Sequence, residues 1–332
     1  MTSTVNYLGG GQFALAAAEP EPPGPGQVRI DVAYTGICGT DLHIAHGAMD
    51  HRVHPPQPIG HEMSGRIGAL GAGVTGWSAG DAVTVMPLSW CGECPACLAG
   101  HRHICHRLVF VGIDAPGAMQ SSWTVPAELL VRLPDGLALD RAALIEPTAV
   151  AVHDVRRSRL RAGERAVIVG AGPVGLLIGC VSRAVGAEVL VVEIDPHRRA
   201  VAQDLGFATA DPLRDLEWSD ADVAFEVSGS PGGVRTATDV LAVRGRLVVV
   251  AIHAKPREVD LHRVFWRELE LIGVRVYDRG DFEEAARLVA AGEVPADRLI
   301  SRVVPLQEAA TAFDALEAGG VVKVLVDCGG AS

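Results

Sequence analysis

Lysine is almost missing from this 332-residue chain: Lys255 and Lys323 are the only two. The net charge is −11, and the arginines are dispersed rather than gathered into a basic face. That balance argues against a partner read through its phosphate backbone, so no nucleic acid is expected. No apolar run is long enough to span a bilayer; the longest, GAGPVGLLIGCVS, is stopped by Arg183. No positive charge precedes Arg29 and no signal-length apolar core follows the start, so the expectation is a soluble cytoplasmic chain without a membrane partner. Seven cysteines, an odd number, argue against a disulfide framework. Repeats and low-complexity tracts are lacking too; EPEPPGPGQ is a short, stiff connector. With 48% hydrophobic residues, two domains with real cores are expected.

Four of the cysteines are concentrated. Cys91, Cys94, Cys97 and Cys105 form C-x2-C-x2-C-x7-C within WCGECPACLAGHRHIC. Thiolates at this spacing can grip one tetrahedral zinc, and Gly92, Pro95 and Gly100 supply the turns. Four sulfurs leave no open position, so such a zinc is structural. A redox C-x-x-C would sit at the start of a helix in a thioredoxin-like setting, and disulfides need an oxidising compartment.

Up to about residue 150 the chain reads as β-rich, with QVRIDVAYTG, EMSGRIGAL, DAVTVMP and SSWTVPAELLVRL as short strand signals. The rhythm then changes to strand–helix alternation: RAVIVG, GPVGLLIGCVSRAVG, EVLVVE, ADVAFEV, GGVRTATDVLAV as a helix, RLVVVAI and LELIGVRV. This predicts a doubly wound parallel sheet. FEEAARLVAAGEV, a short strand, QEAATAFDALEAGG and VVKVLVD close the chain as helix, strand, helix, strand.

GAGPVG places Gly170, Gly172 and Gly175 in G-x-G-x-x-G spacing, with Pro173 and Val174 between, after a strand and before a helix. The glycines permit the tight turn, the pyrophosphate's approach and close helix–strand packing, and the helix N-terminus favours the anion. Glu193, about twenty residues on, is placed for the adenosine ribose hydroxyls. A carboxylate there repels a 2′-phosphate, and Asp195 adds to the negative field. Arg198 and Arg199 could bind a phosphate, but Ile194 stands where NADP-type sites place their arginine. NAD is the expected cofactor.

A third constellation is scattered: Cys38, Thr40, Asp41 and His43 in GICGTDLH, His61 and Glu62 in IGHE, and Glu146 in LIEPTAVAVHDV. One thiolate, one imidazole and one or two carboxylates would make an open zinc site, but spacing alone does not assemble them.

The ordered motifs GICGTDLH, GHEMSG, the cysteine lobe and GAGPVG resemble the medium-chain, zinc-dependent alcohol dehydrogenases from about residue 27 onward. LIEPTAVAVHDVRRSRLRAG, DVAFEVSGSP and RELELIGVRVYD resemble the polyol and 2,3-butanediol dehydrogenase branch. The resemblance implies an α/β chain in two domains. A GroES-like β-rich catalytic domain would take residues 1–148 and 277–332, with the zinc lobe near 90–106. A Rossmann cofactor domain would take 149–276. Cys38, His61, Glu62 and Glu146 match the catalytic zinc ligands, with the inner carboxylate left open; Cys91, Cys94, Cys97 and Cys105 match the structural zinc, two ions per chain in all. Thr40 and His43 match the proton relay, and Asp41 a structural hydrogen-bonding residue. Ile252, Val274 and Val276 fall where the family lines the nicotinamide pocket, and the assembly implied is a homodimer or homotetramer.

The chemistry implied is hydride transfer to NAD from a zinc-bound alkoxide of a secondary alcohol. Sorbitol-type members carry an arginine where Val276 stands, and strand alternation would turn Arg275 to the opposite side. The expected substrate is therefore a small secondary alcohol or vicinal diol of the 2,3-butanediol/acetoin type, with sorbitol-like polyols or L-threonine as alternatives. Threonine should be poor, because no unambiguous carboxylate-binding arginine is visible beyond Arg275 or Arg52. Two rival readings are weaker. A nucleic-acid-binding zinc ribbon predicts a basic face, and a zinc-free reductase would lack Cys38, His61, Glu62 and Glu146.

Overall fold

The computed structural model describes residues 2–20, 22–214 and 216–329. The chain divides into two compact units, one of residues 1–146, 278–290 and 296–332, the other of 147–277 and 291–295.

The first unit is built on a mixed sheet. The strand Gln27–Gly36 pairs antiparallel with Glu62–Leu70, with Ser122–Pro126 and with Lys323–Asp327; the last is flanked in parallel by Ile300–Pro305. Alternation explains the central strand: Val28, Ile30 and Val32 are fully buried, whereas Arg29 and Asp31 lie partly open. A hairpin of Thr2–Gly9 and Gln12–Ala18 precedes this sheet, turning through Gly10 and Gly11 at positive φ. The short helix Gly39–Ala45 follows the central strand and carries Thr40 and His43; Cys38 is its N-cap.

The second unit is a six-stranded, all-parallel sheet. Numbered within this unit, its strand order is 3-2-1-4-5-6, with Arg165–Val169 first and Ala221–Glu226 fourth. Val167, Val169, Leu190, Val192, Ala224 and Leu247 are buried on strands covered by helices, hence the unbroken apolar runs. The order reverses between the first and fourth strands, where ligands of such sheets bind beyond the carboxyl ends.

Two local expectations are corrected. The helix drawn through GGVRTATDVLAV ends at Asp239, and Leu241–Val249 is already strand; Leu241 is buried and pairs with Ala221, so tertiary pairing overrides helical periodicity. The strand drawn through LELIGVRV is only Glu270–Gly273, and Val276 adopts φ 48°. Alternation therefore does not reach Arg275 or Val276 and cannot orient them. Among the described residues no helix is long and apolar enough to cross a membrane.

Candidate metal centres and cofactor site

Cys91, Cys94, Cys97 and Cys105 each place a sulfur within 4.8 Å of the others. Cys94–Cys105 and Cys91–Cys105 stand 3.8 and 3.5 Å apart. Four sulfurs bound tetrahedrally at about 2.3 Å would stand about 3.8 Å apart, so the cluster fits zinc. Backbone N–H donation from Glu93 brings the Cys91 thiol down to about 6, whereas burial pushes Cys97 up to about 12. A divalent cation would let all four ionise. His101 and His106 are exposed, and His103 faces Asp278 at 2.9 Å.

The second cluster, also in the first unit, gathers donors from three segments. Cys38 Sγ lies 3.1 Å from His61 Nε2, and His61, Glu62 and Glu146 bring donor atoms within 4.8 Å of one another. His61, Glu62 and Glu146 are buried. Thr40 donates its N–H to the Cys38 sulfur at 3.2 Å, and His43 is exposed one turn further on. Burial pushes the Cys38 thiol up. Burial also opposes a charged His61, yet the Cys38 sulfur and the Asp41 and Glu146 carboxylates together raise it well above its ordinary value. Three acidic donors around one imidazole suit a divalent cation, and a thiolate–imidazole–carboxylate set is a catalytic-type zinc ligand set.

Two neighbours complete this cluster. Asp41 is fully buried, accepts from the Cys38 N–H at 3.0 Å, and faces His61 Nδ1 at 3.8 Å. At that distance the two atoms are not hydrogen-bonded, and Asp41 contributes negative charge beside the ring. Lys323 was missed by sequence reasoning. Its buried ammonium donates to Glu62 Oε1 and Oε2 at 2.8 and 2.6 Å and to the Ile37 carbonyl at 3.1 Å. All three N–H bonds are used and both Glu62 oxygens are occupied. The available signal was a lysine at the head of the strand KVLVD, in a chain with two lysines.

In the second unit, the glycine loop meets its requirements. Gly170 has φ 116°, and a Cβ on Gly175 would collide with the Gly170 carbonyl oxygen. A Cβ on Gly172 would meet nothing within 4 Å, so the space above it is open to a ligand. Gly172 caps the helix Pro173–Val185, with Pro173 in its first turn and Val174 next, and the exposed N–H groups face that space. The cradle fits a pyrophosphate. Glu193 follows the strand Glu188–Val192 and accepts from the Ala171 N–H at 2.8 Å and the Asp195 N–H at 3.0 Å. Its carboxylate is thereby held beside the glycine loop. Arg199 is engaged by the Glu193 carbonyl and Asp211, whereas Arg198 is exposed. Ile252 is exposed and Val274 half-buried, both in segments beyond strand ends.

The comparisons with known proteins agree with this reading of the folds. Residues 24–135 match the alcohol dehydrogenase GroES-like domain, and residues 173–291 match the zinc-binding dehydrogenase domain. The chain is 49% identical to the 2-dehydro-3-deoxy-L-galactonate 5-dehydrogenase of Pseudoalteromonas atlantica, over 97% of each chain. This chain belongs to the medium-chain, zinc-dependent alcohol dehydrogenase family. Among solved structures it is similar to 2R,3R-butanediol dehydrogenase from Bacillus subtilis, with TM-score 0.91, 31% identity, and 98% and 99% of the two chains covered. An alcohol dehydrogenase from Escherichia coli CFT073, solved with NADH, gives TM-score 0.91 at 25% identity, with 98% and 99% coverage. The two units are accordingly a GroES-like domain and a Rossmann domain, and the chain is an oxidoreductase of CH–OH donors that uses zinc and a nicotinamide dinucleotide.

Proposed function

We propose that this enzyme interconverts a secondary alcohol and its ketone on an open-chain, polyhydroxylated acid of the 2-dehydro-3-deoxyaldonate type, with NAD(H) as partner. The observation that carries the substrate class is the 49% identity, over nearly the whole chain, to an enzyme of that activity. A neutral vicinal diol such as 2,3-butanediol is the second reading. The 31% identity to a butanediol dehydrogenase of the same fold and the segments DVAFEVSGSP and GVRVYD favour it. Arg52 is committed to Asp114 at 2.8 and 2.6 Å, so it does not serve a substrate carboxylate. Arg275 is exposed, and no hydrogen bond or ion pair is seen for it among the described residues.

Cys38, His61 and Glu146 are assigned as direct ligands of the catalytic zinc, with Glu62 held back by Lys323; the four-cysteine lobe holds the second zinc. When bound, the metal supplies Lewis acidity that lowers the pKa of a coordinated hydroxyl, and the nicotinamide ring accepts hydride. Thr40 holds the substrate hydroxyl and takes part in its proton's departure. His43, exposed, hands that proton to solvent. Asp41 contributes negative charge beside the His61 ring.

The test is an NAD-coupled assay ranking 2-dehydro-3-deoxy-L-galactonate, 2,3-butanediol, sorbitol and L-threonine by kcat/KM. The sugar acid is expected to lead by at least about tenfold. NAD should outperform NADP, with Glu193→Ala shifting the ratio by about 1–3 kcal/mol. Activity confined to threonine or to primary alcohols would overturn the substrate reading, and equal use of NADP by the wild type would overturn the cofactor preference.

We also assign a homo-oligomer, a dimer or tetramer. Leu261, Phe265 and Trp266 are exposed on the helix Leu261–Arg267, beside the edge strand Glu270–Gly273 with its exposed Leu271. An apolar strip beside an open edge suits a second copy of the chain. Light scattering should give a dimer or tetramer for the wild type and a smaller species for Phe265→Glu/Trp266→Glu. A monomeric wild type would refute the assignment.

A further inference from the structure

The carboxyl end of the strand Ala221–Glu226 holds a polar network that the proposed chemistry does not use. Glu226 is fully buried, yet three donors converge on its carboxylate and an imidazole stands beside it. One carboxylate oxygen accepts from the Ser228 N–H at 3.0 Å, the Gly229 N–H at 2.9 Å and the Ser228 hydroxyl at 2.6 Å. The other oxygen makes no hydrogen bond among the described residues, and His253 Nε2 lies 3.0 Å from it as an ion-pair contact. Its backbone carbonyl accepts from the N–H groups of Val250 and Ala251, both at 3.0 Å. Glu226 therefore binds the turn that follows its own strand and the loop that follows the next strand, Leu241–Val249.

Arg257 closes the ring. Its Nε donates to His253 Nδ1 at 3.3 Å, and its terminal nitrogen reaches the Gly229 carbonyl at 3.5 Å. Guanidinium is only a donor, so Nδ1 accepts and the ring proton sits on Nε2, facing Glu226. Gly233 is part of the fit: a Cβ there would collide with the Ser228 hydroxyl and stand 2.8 Å from the Glu226 carboxylate. A cavity of about 410 Å³ opens beside His253, bordered by Val234, Leu247, Val259 and Lys255. Packing is thus missing on that side, and the polar ring is left to hold the loop.

The position of this ring gives it a job. Glu193 and the glycine loop fix the adenosine and pyrophosphate to one side of the strand Arg165–Val169. The remaining half of a dinucleotide must extend across the switch point, over the carboxyl ends of Ala221–Glu226 and Leu241–Val249. The turn it meets packs against the first glycine: a Cβ on Gly170 would stand 3.1 Å from the Ser228 nitrogen. The loop it meets carries Ile252, exposed at 81%.

We propose that Glu226, His253 and Arg257 form a latch that preorganises the nicotinamide half of the dinucleotide site, by tying the turn Val227–Ser230 to the loop 250–257. His253 is a positioning residue: it acts on the loop, and no bond of its own to the cofactor is invoked. The inference rests on the dinucleotide reading and is independent of the substrate.

The test compares two ligands on the zinc-loaded enzyme. NADH, which spans both halves, is titrated by its fluorescence, and AMP, which fills only the adenosine half, by calorimetry. His253→Leu is expected to weaken NADH by about tenfold while AMP binding stays within about twofold. His253→Gln, whose amide can still donate to Glu226 and accept from Arg257, should recover NADH affinity. Should His253→Leu fail to fold, Arg257→Leu removes the outer anchor and carries the same expectation. Unchanged NADH affinity overturns the latch, as does equal weakening of both ligands or a glutamine variant that recovers nothing. A wild type that binds neither ligand would instead sink the dinucleotide reading itself.

Discussion

Replacing Cys38 with serine should abolish turnover while the chain stays folded and loses one of two bound zinc ions. The Cys38 sulfur stands 3.1 Å from His61 Nε2, in a buried cluster whose other donors are carboxylates. Serine is neutral at working pH and a poor zinc ligand, so the ion leaves and its several kcal/mol of Lewis-acid stabilisation leave with it. At about 1.4 kcal/mol per decade, the loss in kcat is at least about 10³-fold. Cys97→Ser should behave differently. It opens the four-sulfur lobe, where metal binding contributes folding free energy, so thermal stability falls. Elemental analysis beside circular dichroism distinguishes the two. One zinc or none per chain in freshly purified, unchelated wild type would refute the two-site reading.

Lys323→Met should destabilise the fold strongly. The Lys323 and Glu62 side chains are both only 2% exposed, and the ammonium makes three hydrogen bonds. Removing it leaves a buried carboxylate with no cation, which costs about 3–5 kcal/mol. Glu62→Gln/Lys323→Met should recover much of this, because the stranded charge is gone. The loss should be greater in zinc-stripped protein, where no metal substitutes for the ammonium. Denaturant unfolding of the two variants, with and without metal, measures all of this. A single-variant loss under about 1 kcal/mol, or a double variant no better than the single, would show that the pair is not holding this site together.

What could be read from the sequence followed from how local each feature is. The four cysteines span fifteen positions and the glycine loop six, so their spacing alone carried the chemistry. Glu193 was reachable because strand and helix lengths set its distance from the glycines. The open metal cluster was different: Cys38 and Glu146 each meet His61 only through the tertiary fold, and no periodicity encodes those meetings. The resemblance to a family brought them together on paper, but it left the rank of Glu62 and Glu146 open. Lys323, on a strand from the far end of the chain, bears on that question, and nothing near Glu62 announces it. Backbone conformation was also hidden. Val276 at positive φ is rare for a branched residue, so alternation gave Arg275 a direction that the short strand does not enforce. The latch was illegible for a similar reason, since Glu226 ends an ordinary apolar strand and His253 is one of twelve histidines.

The pairing of Lys323–Asp327 with Gln27–Gly36 has a consequence for the order of events during synthesis. The residues joined there, such as Lys323 and Ile37, are 286 positions apart, and the strand from the tail lies inside the sheet rather than at its rim. Closing so long a loop is slow, whereas the parallel-sheet unit is nearly continuous in sequence and has its pieces together much earlier. Until the tail arrives, the strand Gln27–Gly36 offers an open edge and Glu62 lacks its cation. The catalytic half is therefore the last part of a nascent chain to mature, and the interval before it closes is when a helper protein or early metal loading has most to protect.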